Sequence, residues 1–160
     1  MPKAITNTSP LLYLYRIGVI EWLPEIFDEI LTAPAVVKEL AEGQRQGYDV
    51  PCLSDYEWLQ VIQPHSVPSE WLALDLGQGE LETMALALEH SSWTVILDDA
   101  LARRIAQAAS LEVWGTLRIL LEAKKQSLIP SIAPLVERLQ SAGMWISNDV
   151  GQRVLALAGE

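Results

Sequence analysis

The sequence predicts an α/β fold: a mostly parallel sheet covered by helices on both faces. Short strand-like stretches alternate with stretches of helical periodicity along nearly the whole chain. One of them, Trp-Thr-Val-Ile-Leu at 93–97, is apolar, rich in β-branched residues and bounded by polar ones, as a strand buried on both faces should be. At 160 residues the chain is one domain's length with room for a real core.

The first strand spans residues 3–6, and Asn7, Thr8 and Ser9 follow it as a small polar interruption. A helix over 10–17 takes Ser9 as N-cap and Pro10 at its first position, and Gly18 ends it. A short helical piece at 19–23 stops at Pro24. Residues 29–33 form the second strand, and Pro34 opens a helix through about residue 46, where Gly47 breaks it. Residues 48–78 are the least periodic; Pro51, Pro64, Pro68, Trp58 and Trp71 mark a long connection with a short strand around Val61. Gly77 and Gly79 introduce a strong helix at 80–90. A strand at 93–97, a helix at 99–109, a strand at 111–114 and a helix at 116–126 complete the alternation. A helix at 131–142 capped by Gly143, a short edge strand at Trp145 and Ile146, and a helix at 149–158 close the chain. The expected unit is a single domain over 1–160, with a core at about 4–128 and a helical extension at about 130–160.

Composition narrows the function. No apolar run reaches the roughly 18 residues that cross a bilayer, and the N-terminus does not read as a signal peptide. Cys52 is the lone cysteine, so a disulfide or cysteine metal cluster within the chain is excluded and a reducing, cytoplasmic location is expected. A 50 % hydrophobic content with mean hydropathy +0.19 suggests a buried subunit interface. The formal charge of −10 argues against a plain basic surface for nucleic acid. The acidic excess is either a solvated surface or carboxylates gathered around a cation.

In an open parallel sheet, ligands collect outside the carboxyl ends of the strands. Two strands end there in polar groups, at Asn7-Thr8-Ser9 and at Asp98-Asp99. Asp99 has a structural role available as a helix N-cap, with Arg103 four residues on as an ion-pair partner. Asp98 has no such role, because one cap suffices, and it sits where an apolar strand emerges. Glu82 has Ala85 and Leu86 at i+3 and i+4, where a carboxylate is costly unless it is paired or binds a cation. Glu80, in the first turn, suits the helix macrodipole. Glu39 borders the stripe of Val36, Val37 and Leu40, and its spacing leaves a solvated face and a site equally open. No P-loop is present, and Gly77-Gln78-Gly79 lacks a dinucleotide-binding context. His65 and His90 are isolated, which argues against a zinc site or a histidine triad. Arg103 and Arg104 do not make a patch, and the six tryptophans read as core or interface.

Taken together these residues resemble a PIN domain, in the prokaryotic branch related to VapC-type toxin ribonucleases. The similarity lies in Asn7-Thr8-Ser9-Pro10 where that branch has Asp-Thr-Ser-Pro, in Pro34 through Glu39-Leu40, in Gly79-Glu80-Leu81-Glu82 opening an alanine-rich helix, in Asp98-Asp99 followed by Ala102-Arg103, and in Gly115-Thr116 with Ala123-Lys124. It runs from residue 4 to about 150. The resemblance implies a three-layer α/β/α sandwich with a sheet of four or five strands, and metal-dependent cleavage of RNA. It implies Glu39, Glu82 and Asp98 as catalytic residues and, with Asn7, as ligands of Mg²⁺ or Mn²⁺. Thr8, Ser9, Glu80 and Asp99 would be auxiliary, and Arg103 would touch RNA. A toxin of this kind implies a small antitoxin partner, expected on segment 48–78, and a homodimer. Asn7 departs from the branch: an amide oxygen can coordinate a hard cation but contributes no charge. The chain is then either a weakened ribonuclease or a catalytically silent RNA- or protein-binding module. A phospho-acceptor role for Asp98 is the third reading; no acidic group at position 7 and no suitably placed lysine support it.

Overall fold

The computed structural model describes residues 2–160. In chain order the elements are β1 (Lys3–Thr6), α1 (Thr8–Arg16), α2 (Trp22–Ile26), β2 (Glu29–Thr32), α3 (Pro34–Arg45), β3 (Leu59–Val61), α4 (Gln78–Glu89), β4 (Thr94–Ile96), α5 (Ala100–Ala108), β5 (Glu112–Trp114), α6 (Thr116–Lys125), α7 (Ala133–Ser141) and α8 (Asn148–Leu157). Short 3-10 turns at Leu53–Asp55 and Ser69–Ala73 lie in the connections before and after β3.

All strand pairs are parallel, in the order β3-β2-β1-β4-β5. The register sets Ile5 of β1 beside Leu31 of β2 and Val95 of β4. Those three belong to one core with Leu81 and Met84 of α4 and Ala102 and Ala106 of α5. Ala4, Ile30 and Ile96, pointing the other way, join a second core with Leu11 and Leu14 of α1, Val36 of α3, Ile119 of α6 and Leu139 of α7. Both sheet faces are therefore dry, which is why the strands read as apolar runs rather than alternating ones. Each fully buried Leu or Ile contributes about 1.5–3 kcal/mol, and Leu11, Leu14 and Leu23 are each 0 % exposed. The result is the three-layer sandwich, with five strands.

Several local expectations change. α1 starts at Thr8 with Asn7, not Ser9, as N-cap; Asn7 makes no side-chain cap bond, and the Ser9 hydroxyl goes to Asp98 instead. Pro24 sits within the first turn of α2 and does not end a helix; the first turn has no intrahelical use for the missing N–H. Residues 145–146 form no strand: Ile146 is buried while Trp145 is 86 % exposed. No helix among the described residues is long and apolar enough to cross a membrane.

The strand order positions the site. The chain steps from β1 outward to β2 and β3, then α4 carries it back to β4 on the other side of β1. Strand order reverses between β1 and β4, and the crevice outside their carboxyl ends is the place where such sheets bind ligands. Asn7 follows β1 directly and Asp98 lies just beyond β4.

Candidate functional site

Asn7 continues the sheet by its backbone, donating its N–H to Ile96 O at 3.2 Å. Its side chain is buried, 5 % exposed, and its Oδ1 has no hydrogen-bond partner. A buried acceptor left open costs about 1–3 kcal/mol, and this one is open at the point where strand order reverses. The next two residues strap the turn to acids on either side. Thr8 Oγ1 donates to Glu39 Oε2 at 2.9 Å, and Ser9 Oγ donates to Asp98 Oδ2 at 2.7 Å.

Asp98 does have a capping role, contrary to the sequence expectation. Its Oδ1 accepts the Thr116 N–H at 2.8 Å and its Oδ2 accepts Thr116 Oγ1 at 2.7 Å, so it caps α6. The residue preceding α6 is Gly115, which has no side chain to do this. A Cβ there would lie 2.7 Å from Arg103 Nη1 and 3.2 Å from Asp98 Oδ1, so glycine leaves the room both groups occupy.

Glu39 and Glu82 cap each other's helices. Glu39, on α3, accepts the Gly79 N–H of α4 at 2.9 Å; Glu82, on α4, accepts the Ala35 N–H of α3 at 3.1 Å. Orphan N–H groups at both helix starts are thereby satisfied. Gln78 Nε2 adds a bond to Glu82 at 3.1 Å. A Cβ at Gly79 would stand 2.4 Å from both Glu39 oxygens, so the glycine is required for Glu39 to reach in.

Glu80 Oε1 accepts the Gly77 N–H at 3.0 Å, while its Oε2 is buried without a partner. Burial pushes its carboxyl above the ordinary carboxylate range, and the nearby charges of Asp99 and Glu39 push it further, against the Gly77 N–H. Asp99 caps α5 as expected, accepting from Ala102 N at 2.9 Å. The expected Asp99–Arg103 ion pair is not among those of the described residues; Arg103 Nη1 donates to Leu97 O at 2.9 Å.

The donors in this region are oxygen atoms, which suits a hard divalent cation. A carboxylate offers about four acceptor positions. Hydrogen bonds take two on Glu39, two on Glu82 and three on Asp98, so each retains capacity beside the open amide of Asn7. Among the described residues no three Asp, Glu, His or Cys side chains lie close enough to hold an ion between them. The residues fit a cation of the Mg²⁺ kind, which keeps several waters and takes one or two carboxylates. They do not form an all-protein cage.

A family model described as a PIN domain matches residues 3–160. The chain belongs to the PIN domain family. Its fold is similar to that of a PilT N-terminus domain protein from the hyperthermophilic archaeon Sulfolobus solfataricus P2, with a TM-score of 0.51 over 91 % of this chain and 98 % of that one. Identity is 15 %, so the likeness is one of fold. No curated protein sequence matches. PIN domains are generally divalent-metal-dependent nucleases; in this PIN domain Asp98 stands just past β4, and Glu39 and Glu82 cap the starts of α4 and α3. Sequence reasoning gave Thr116, Gly79 and Gly115 no role in holding the acids. The pattern Gly-Thr before a helix marked the first; only coordinates show that its hydroxyl is aimed at Asp98.

Proposed function

We propose that this PIN domain is a metal-dependent ribonuclease whose centre is the β1–β4 crevice. The observation that carries the reading is the buried, unpartnered Oδ1 of Asn7 at that crevice. Asn7, Glu39, Glu82 and Asp98 would hold Mg²⁺ or Mn²⁺ directly or through its retained waters. A bound cation polarises a phosphodiester and lowers the pKa of a water beside it. The chain's own contribution is orientation: Thr8 and Ser9 fix the carboxylates of Glu39 and Asp98, and Thr116 holds Asp98 from the other side. Arg103, beside Gly115, supplies positive charge for a phosphate at the rim.

The test pairs RNA cleavage with and without EDTA with calorimetric titration of Mn²⁺ into the wild type and Asn7→Asp. Cleavage abolished by EDTA is expected, with Mn²⁺ binding strengthened on the order of tenfold by the added charge. Equal affinities would remove position 7 from the site. A silent PIN-like module is the second reading, favoured by the amide at position 7 and by acids that double as helix caps; RNA bound but never cleaved would select it.

The finer reading is a toxin, held by a small antitoxin. Segment 48–78 offers it exposed apolar side chains, Tyr48, Val61, Ile62 and Leu72. A homodimer in the cytoplasm accords with the high apolar content and the lone Cys52. Co-purification with the product of an adjacent small gene, and light scattering of the purified chain, test these two points.

A further inference from the structure

Most of a surface with formal charge −10 repels a polyanion. Residues 99–126 run against that excess: they carry five of the eleven Lys and Arg side chains and three of the 21 Asp and Glu. Within them Arg118 and Lys125 are exposed and seven residues apart on α6, hence on one face and about 10 Å apart along the axis. With Leu121 between them, and Leu157 and Ala158 of the α8 end opposite, they line a groove of about 460 Å³. Leu157 is 69 % exposed there. Of the other groove charges, Lys124 is paired, while Glu122, bonded to a neutral amide, keeps its charge between Arg118 and Lys125 on α6. Lys124 Nζ pairs with Glu160 Oε2 at 2.9 Å, and Glu122 accepts from Gln126 at 3.0 Å. Arg118 is held in place by the Trp114 ring, 4.6 Å from its centroid. The groove begins beside the crevice, because α6 starts at Thr116, the residue that holds Asp98.

We propose that the α6–α8 groove seats the backbone of a single-stranded RNA leading away from the crevice, with Arg118 and Lys125 on two phosphates and Leu121 and Leu157 beneath the bases. This deepens the ribonuclease reading and rests on it. Among the described residues neither Arg118 nor Lys125 makes an ion pair, so charge favours a polyanion at this groove. An acidic protein helix would need a longer apolar floor than Leu121, Leu157 and Ala158 provide. Two phosphate contacts on a single strand set a salt dependence of about 1.4 in slope, and their loss should weaken binding about 25-fold at 0.1 M salt.

The experiment is fluorescence anisotropy of a labelled single-stranded RNA in EDTA, which stops cleavage, across a salt series. The full chain is compared with Arg118→Ala/Lys125→Ala and with the charge-keeping Arg118→Lys/Lys125→Arg. Supporting results are a loss of about 25-fold and a slope lower by about 1.4 for the alanine pair, with near wild-type binding by the charge-keeping pair. Equal thermal midpoints for all three exclude misfolding as the cause. Wild-type binding with no change in the alanine pair overturns the groove while leaving the ribonuclease reading intact. Cleavage in Mn²⁺ without measurable binding in EDTA overturns the groove in the same way. Polyglutamate bound in place of RNA, and lost in the alanine pair, assigns the groove to a protein partner and overturns the proposal.

Discussion

Ser9 Oγ donates to Asp98 Oδ2 at 2.7 Å across 89 residues of chain, and this bond ties the start of α1 to the end of β4. The same carboxylate also holds the start of α6 through Thr116. Asp98 is thus a structural joint as well as a candidate ligand, and substitutions can separate the two roles. Asp98→Ala strands the Thr116 N–H, the buried Thr116 hydroxyl and Ser9, for a loss of about 2–4 kcal/mol in urea unfolding. Asp98→Asn keeps a carbonyl for Thr116 N and lets the hydroxyls reverse, for a loss of about 1 kcal/mol. With the fold retained, Asp98→Asn should lose Mn²⁺ binding; unchanged titration would make Asp98 a joint alone.

Gly79→Ala tests the mutual capping of α3 and α4. A helical glycine replaced by alanine ordinarily gains about 1 kcal/mol. Here the new Cβ meets the Glu39 carboxylate, which must swing away from Gly79 N and Thr8. The expected outcome is the opposite sign, a loss of about 1–2 kcal/mol, together with weaker Mn²⁺ binding. A urea midpoint that rises would show that Glu39 reaches its partners another way.

The mutual capping also shows where sequence reading stops. The parallel sheet was legible because strands dry on both faces are β-branched or apolar rather than alternating, as in Thr94–Ile96, buried at every position. The placement of Asn7 and Asp98 was legible because a polar residue just past such a strand must emerge at the sheet's carboxyl edge. Local spacing could show that Glu82 needs a partner and could not show which. Its acceptor bond comes from Ala35, 47 residues away, and that of Glu39 from Gly79, 40 residues away. Asp98 seemed free of structural duty for the same reason: the helix it caps begins 18 residues on. Pro24 misled because a proline that stops a preceding helix and one in a first turn look alike until the helix start is known.

Glu80 makes a pH-dependent prediction. Burial raises its folded carboxyl above the ordinary carboxylate range, and the Asp99 and Glu39 charges add to that. The folded state then holds the proton more tightly than the unfolded one, so this group's contribution weakens stability as pH rises from about 4.5 through the raised value. Glu80→Gln keeps an acceptor for Gly77 N and removes the charge. It should raise the thermal midpoint at pH 7 and raise it less at pH 4. Equal gains at both values would mean that the carboxyl is not the cause.

Glu160 predicts the opposite slope. Ser131 Oγ donates to its carboxylate, Ile132 N and Ala133 N donate at 2.8 and 3.1 Å, and Lys124 Nζ pairs with it at 2.9 Å. These donors, Ser131 foremost, hold it at about 2, well below its ordinary 4.5. The folded state prefers the charged form, so the stabilisation is complete above about 4.5 and is lost as pH falls through to about 2. Glu160→Gln should therefore be less stable than wild type at pH 7, with the difference closing between those two values as the wild type loses its charge. A gap that stays constant down to pH 2 would locate the effect in packing between α8 and α7 rather than in the carboxylate. Because Lys124 lines the groove beside Arg118 and Lys125, the same variant frees a cation there and should tighten single-stranded RNA binding at low salt.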